Sequence, residues 1–153
     1  NVINTIVVSH PEFIESLIFN GVFSSPQSGL IYIFDSSSFD LKCAASYIVM
    51  ATVQNGNYDI CNYLIENELV VCAAENLTSD AEFFNANKKL FFNFPSLIDS
   101  LLLLLNTDDF KERLLYQLID KGVDVMICNF QTDIPDIDKK FDLLRSIIES
   151  QLE

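Results

Sequence analysis

The sequence predicts an all-α fold, a solenoid of about three degenerate three-helix repeats forming a single helical repeat domain over residues 1–153. Three observations predict it. First, the segments 10–22, 57–69 and 109–123 say nearly the same thing: a short helix with a Leu-Ile pair near its end, a brief break, then an apolar residue. The pairs Leu17-Ile18, Leu64-Ile65 and Leu118-Ile119 lie 47 and 54 residues apart, and self-similarity at a period of about 40–50 residues marks helical solenoids. Second, apolar residues recur at helical spacing, with capping residues at the breaks. Third, no Gly/Ser linker or proline-rich tract divides the chain, which holds only four glycines.

The elements follow in order, nine to ten helices in all. Ser9-His10-Pro11-Glu12 reads as a capping box with proline in the first turn, and Gly21 as a stop, framing a helix of about 10–20. Ser25-Pro26 begins a second helix, running to about Phe34. Ser38 caps a longer one from Phe39 to about Gln54, with Leu41, Ala44, Ala45, Ile48, Ala51 and Thr52 at i, i+3, i+4, i+7 spacing. Its β-branched Ile48, Val49, Thr52 and Val53 would also suit a strand. Asn55-Gly56-Asn57 is a turn ending in an N-cap, and helices follow over 58–67 and 69–77. Thr78-Ser79-Asp80 caps a helix through Phe84, Lys88 and Phe92, which Pro95 interrupts and residues 96–105 resume. Thr107 caps a helix over 108–121, acidic in its first turn as the helix dipole prefers, and Gly122 stops it. Residues 123–130 suit a helix or a strand. Residues 132–136 open a last helix carrying Ile137, Phe141, Leu144, Ile148 and Leu152 on one face.

Composition bounds the function. Half the residues are hydrophobic and mean hydropathy is +0.26, which excludes disorder over most of the length. The longest apolar run, Leu101–Leu105, falls far short of the ~18 residues that span a bilayer. The opening run of apolar residues reads as the tail of an element, so the chain is expected to be a piece of a longer protein. Formal charge is −13, and the first 75 residues carry eight acids against one base, Lys42. That field repels polyanions, so nucleic acid is not an expected partner. Cys43, Cys61, Cys72 and Cys128 show no CxxC pairing, and only one histidine is present. Reduced, buried thiols in an intracellular, cytoplasmic protein are expected, and no zinc site. Asn76-Leu77-Thr78 fits a glycosylation sequon by chance.

No chemistry stands out. His10 precedes a proline at a helix start, no phosphate-cradling glycine motif occurs, and Asp133–Asp138 lacks the glycine and distal glutamate of a calcium loop. No catalytic residue, cofactor or metal is therefore expected. The dense group Phe83, Phe84, Phe91, Phe92 and Phe94 either lines a pocket or fills a helical interior.

The order of short helix, break, short helix, polar loop and longer helix resembles the armadillo repeat. Residues 30–45 are similar to its apolar second helix, small polar loop and Ala-rich third helix; residues 45–53, 54–57 and 64–68 fall at its third-helix end, turn and next first helix. Three units result: 9–54, 57–106 and 107–152. Residues 54–67 and 118–125 also resemble ankyrin second helices, but ankyrin repeats recur every ~33 residues and open with Thr-Pro-Leu-His, which is absent. The armadillo/HEAT-like resemblance implies a right-handed α-solenoid that binds a protein or peptide partner on its concave face. Family members that hold extended peptides place an Asn near the end of the third helix, often with Trp one turn before. Those places fall here on Met50 and Ser46, then on Asn93 and Lys89.

Six of nine basic residues (Lys42, Lys88, Lys89, Lys139, Lys140, Arg145) fall on the proposed third helices. They would either let the groove accept an acidic segment or offset nearby acids as surface pairs. Lys42, Ser46, Met50, Lys89, Asn93 and Arg145 are thus the candidate partner-binding residues of a protein-interaction scaffold. The alternative function is a helical enzyme or small-ligand protein with a Phe-rich pocket.

Overall fold

The computed structural model describes residues 2–36, 38–91 and 94–152, and every regular element among them is helical. Contacts divide the chain into one unit ending at Asn76 and a second beginning at Leu77. The first holds α1 (Val2–Ser9), α2 (Ile14–Phe19), α3 (Leu30–Ser36), α4 (Phe39–Asn55), α5 (Tyr58–Glu66) and most of α6 (Leu69–Thr78). The second holds α7 (Ala81–Ala86), α8 (Phe94–Leu105), α9 (Asp108–Asp120), α10 (Val123–Asn129) and α11 (Pro135–Leu152).

The Leu-Ile repeat has a physical origin. Among the described residues three have left-handed backbone: Gly21 (φ 78°), Glu68 (φ 58°) and Gly122 (φ 71°). Each lies three residues after its Leu-Ile pair, and each is followed by an apolar residue. In each, the left-handed residue's amide donates to the Ile carbonyl: Gly21 to Ile18, Glu68 to Ile65 and Gly122 to Ile119, all at 3.0 Å. After α2 the next amide, Val22, also reaches Leu17 at 3.1 Å, completing a Schellman motif. The residue before the turn recurs as well: Asn20 and Asn67 each use the side-chain amide to bond the carbonyl four residues back, at 2.7 and 2.9 Å. Leu64, Leu69, Leu118 and Val123, which bracket the second and third turns, are fully buried. Leu-Ile, two residues, a left-handed residue and an apolar residue is therefore the sequence trace of one helix-ending turn, used three times.

Several predicted bounds shift. No capping box forms at Ser9, because Ser9 ends α1; His10 takes the cap place without a side-chain bond, and Pro11–Phe13 is a 3-10 turn leading into α2. The second helix starts at Leu30 rather than Pro26. The intervening backbone closes turns instead, Ser25 to Gly21 at 3.1 Å, Gly29 to Ser25 at 2.9 Å and Leu30 to Val22 at 3.0 Å. Helix α4 has no single stripe: Cys43, Ala45, Ser46, Ile48, Val49, Met50, Thr52 and Val53 are all buried, while the expected core residue Leu41 is 54% exposed. The cause is that α1, α3 and α5 all pack on α4, covering more than one of its sides. The hydroxyls of Ser46 and Thr52 stay inside because each donates to a carbonyl one turn back, Lys42 at 2.8 Å and Ile48 at 2.7 Å.

In the second unit Asp80 accepts from the Phe83 amide at 2.9 Å, but α7 ends at Ala86 and Lys88–Phe91 is a 3-10 turn. Pro95 sits in the first turn of α8 and begins that helix rather than interrupting one, since its missing N–H would be unpaired there anyway. The ambiguous 123–130 segment is helical. Phe84, Phe94, Phe130 and Phe141 form the core, with ring centroids 4.8–5.8 Å apart. Helix α11 buries Ile137, Phe141, Leu144 and Ile148 and packs on both α8 and α10.

Candidate functional site

The structure separates the six sequence-derived candidates. Ser46 and Met50 lie in the interior of the first unit, and the Ser46 hydroxyl is engaged by the Lys42 carbonyl and by the Asn76 amide at 3.3 Å. Neither is offered to a partner, because the α4 surface that carries them is covered. Lys42 is half-buried at the start of α4. Lys89 is exposed, on the 3-10 turn rather than on a third helix, and Asn93 lies outside the described residues.

Arg145 is a structural residue. Its Nε donates to the Cys128 carbonyl at 3.2 Å and an Nη donates to the Phe130 carbonyl, so the guanidinium caps the C-terminal end of α10. Its other Nη bonds Asp142 at 2.7 Å, and the guanidinium stands 5.8 Å from the Phe141 ring centroid. Two more cations of the expected basic groove are also engaged: Lys88 bonds Asp133 at 2.5 Å and Lys140 bonds Asp99 at 2.6 Å. Their acids come from 45 and 41 residues away, too far for local spacing to reveal them. Of the three, only Arg145 pairs with an acid at helical spacing, Asp142, as the surface-pair reading expects.

The second alternative, a Phe-lined pocket, meets a filled space. Phe84, Phe91 and Phe94 touch one another, with centroids 4.8–5.8 Å apart, and all three are buried. Phe92 lies outside the described residues. Nor are the buried ionisable groups set for nucleophilic work. Burial pushes the Cys43 thiol up to about 11 and the nearby Asp40 charge adds to this, while the Asn76 amide on its sulfur opposes it. Cys61 and Tyr47 are likewise raised, chiefly by burial, and so is Cys128. A thiol is nucleophilic as its thiolate, so these shifts run against reactivity. His10 is exposed, 3.4 Å from Glu12 and beside the Phe13 ring. The sequon is closed off: Asn76 is held by Ser46 and Thr78 is buried.

One surface does bring two helices of the second unit together. Helices α8 and α11 pack side by side, and the Asp99–Lys140 ion pair joins their solvent faces. Leu103, one turn from Asp99, is 51% exposed, and Leu143, one turn from Lys140, is 58% exposed. The sequence reading treated Leu103 only as part of the apolar run Leu101–Leu105 and left Leu143 unremarked. The available signal was the polar line Ser96, Asp99, Leu103, Asn106 at helical spacing, which puts Leu103 on the wet side of α8.

Comparisons with protein-family models, curated proteins and solved structures find no match. Function therefore rests on the geometry of the chain itself.

Proposed function

We propose that this chain is a protein–protein interaction module, an armadillo-like α-solenoid whose third helices receive a partner protein or peptide. The observation that carries the reading is the threefold recurrence of one helix-ending turn, at Gly21, Glu68 and Gly122. A turn kept at corresponding places in three segments is what a repeat array needs to feed each first helix into its second. Helices follow each turn: α3 and α4 after the first, α6, α7 and α8 after the second, α10 and α11 after the third. Side-by-side packing of α8 and α11 fits the stacking of successive third helices. Their joint solvent face, with Leu103 and Leu143 beside the Asp99–Lys140 pair, combines apolar contact area with fixed charge. The partner is accordingly a polypeptide that covers two leucines.

The test is affinity capture from the source cell with the wild-type chain and with a Leu103→Asp/Leu143→Asp variant, followed by quantitative mass spectrometry. A specific partner lost from the variant, with helicity and melting unchanged, is the expected result. Partners retained equally by both chains would remove this surface from the account.

A further inference from the structure

We infer that Asn20-Gly21 and Asn55-Gly56 are latent deamidation sites, closed while their helix ends are folded, and that the aspartate formed there keeps the end from closing as before. Four helix ends among the described residues share one closure. Asn20 after α2, Asn55 at the end of α4, Asn67 after α5 and Asn87 after α7 each turn the side-chain amide back to the carbonyl four residues earlier. The distances are 2.7, 2.8, 2.9 and 3.0 Å in that order. Each amide adds a donor at the end of the helix that carries partial negative charge. Only Asn20 and Asn55 of the four are followed by glycine, whose amide has no side chain to hinder its approach to the asparagine Cγ. Glu68 and Lys88 follow the other two.

In deamidation the glycine nitrogen gives up its proton and attacks the asparagine Cγ. The N–Cγ bond forms, the Cγ–Nδ2 bond breaks, and ammonia leaves with the proton. Water then opens the five-membered imide at one of its two carbonyls, giving aspartate or, with the chain routed through the side chain, isoaspartate. The folded geometry blocks the first step in three ways. The attacking amides are engaged as donors, Gly21 to Ile18 at 3.0 Å and Gly56 to Thr52 at 2.8 Å. The side-chain amides point back along their helices, away from the nitrogen that must reach them. The backbone is also wrong for the ring: Asn20 has ψ 9° and Asn55 is helical, whereas the imide swings ψ far from both. Each end must therefore open before it reacts, and the rate follows the open population. The product does not refit. A carboxylate only accepts, so it meets the Ser16 or Ala51 carbonyl with no proton to share, at a helix end that disfavours negative charge. Isoaspartate adds a methylene to the main chain and shifts the glycine amide off its carbonyl. Each opening that reaches the imide is thus recorded as an added negative charge, in a unit with eight acids against Lys42 alone.

The full chain is incubated at mildly alkaline pH, folded and in denaturing guanidinium, and the mass gain of deamidation at Asn20 and Asn55 is followed by peptide mapping. Conversion at each site should be at least tenfold slower in the folded chain. A smaller ratio at either site would overturn the proposal, because the closed helix end would then not be the barrier. The product is made directly as Asn20→Asp and Asn55→Asp. Each should melt below its Asn→Ala counterpart, which loses the donor without placing a carboxylate on the carbonyl. An aspartate variant that fails to fold while its alanine counterpart folds is the same result at its limit. Melting of the aspartate variants equal to or above that of the alanine variants would overturn the claim that the product holds the end open.

Discussion

Glu68 stands where the other two repeats have glycine, and its left-handed backbone is strained for a residue with a Cβ by about 1 kcal/mol. Its side chain is exposed, so little is lost by removing it. Glu68→Gly should therefore stabilise the chain by up to about 1 kcal/mol, less the extra freedom glycine gives the unfolded state. Gly122→Ala should destabilise by about 1 kcal/mol through backbone strain alone, because an added Cβ there meets no atom within 4 Å. Urea denaturation reads both, and opposite signs are expected. Cys43 makes a pH-dependent prediction. Its folded pKa of about 11 lies above the ordinary 9.0, so the folded state holds the proton that the unfolded state releases first. Stability from this group is complete below pH 9 and is lost as pH rises towards 11. Cys43→Ala should flatten that alkaline decline in melting temperature, even if the smaller side chain lowers the plateau.

At the scale of elements, the clearest dependence is that of α10 on α11 through Arg145. Three hydrogen bonds from one guanidinium hold two carbonyls at the C-terminal end of α10 and one carboxylate of α11. Charged hydrogen bonds of this kind contribute about 1.5–3 kcal/mol, so Arg145→Met should cost that much in thermal or urea unfolding. Arg145→Lys should not restore it, because an ammonium cannot span the same fork. A groove cation would instead leave stability unchanged when replaced. Elements were legible in the sequence where a local device sets their ends: Asn57 accepting from Ile60, Asp80 accepting from Phe83, and the turns at Gly21 and Gly122. They were misread where a nonlocal bond decides. The Ser25-Pro26 signal is a sound helix start in isolation, yet the Leu30 and Ile31 amides beyond it are taken by the carbonyls of Val22 and Phe23. The stripe expected on α4 vanished for the same kind of reason, since helices distant in sequence cover its other sides.

At the largest scale, the all-helical class of the described residues and the recurring helix-ending turn were readable because both leave traces within a few residues. The candidate site was not. Ser46 and Met50 were placed by analogy on an open face, but burial is set by which helices lie over α4, and no spacing within residues 39–55 carries that information. The two exposed leucines of α8 and α11, Leu103 and Leu143, were hidden in opposite ways, one by an apolar run and one by surrounding charges. Hydrogen–deuterium exchange of the chain alone and bound to its captured partner tests the interaction reading most directly. Binding on α8 and α11 predicts protection concentrated in residues 94–105 and 135–150, lost in Leu103→Asp/Leu143→Asp, with α9 and α10 unchanged. Protection confined to other helices, or a partner whose binding leaves α8 and α11 exchanging as before, would contradict it.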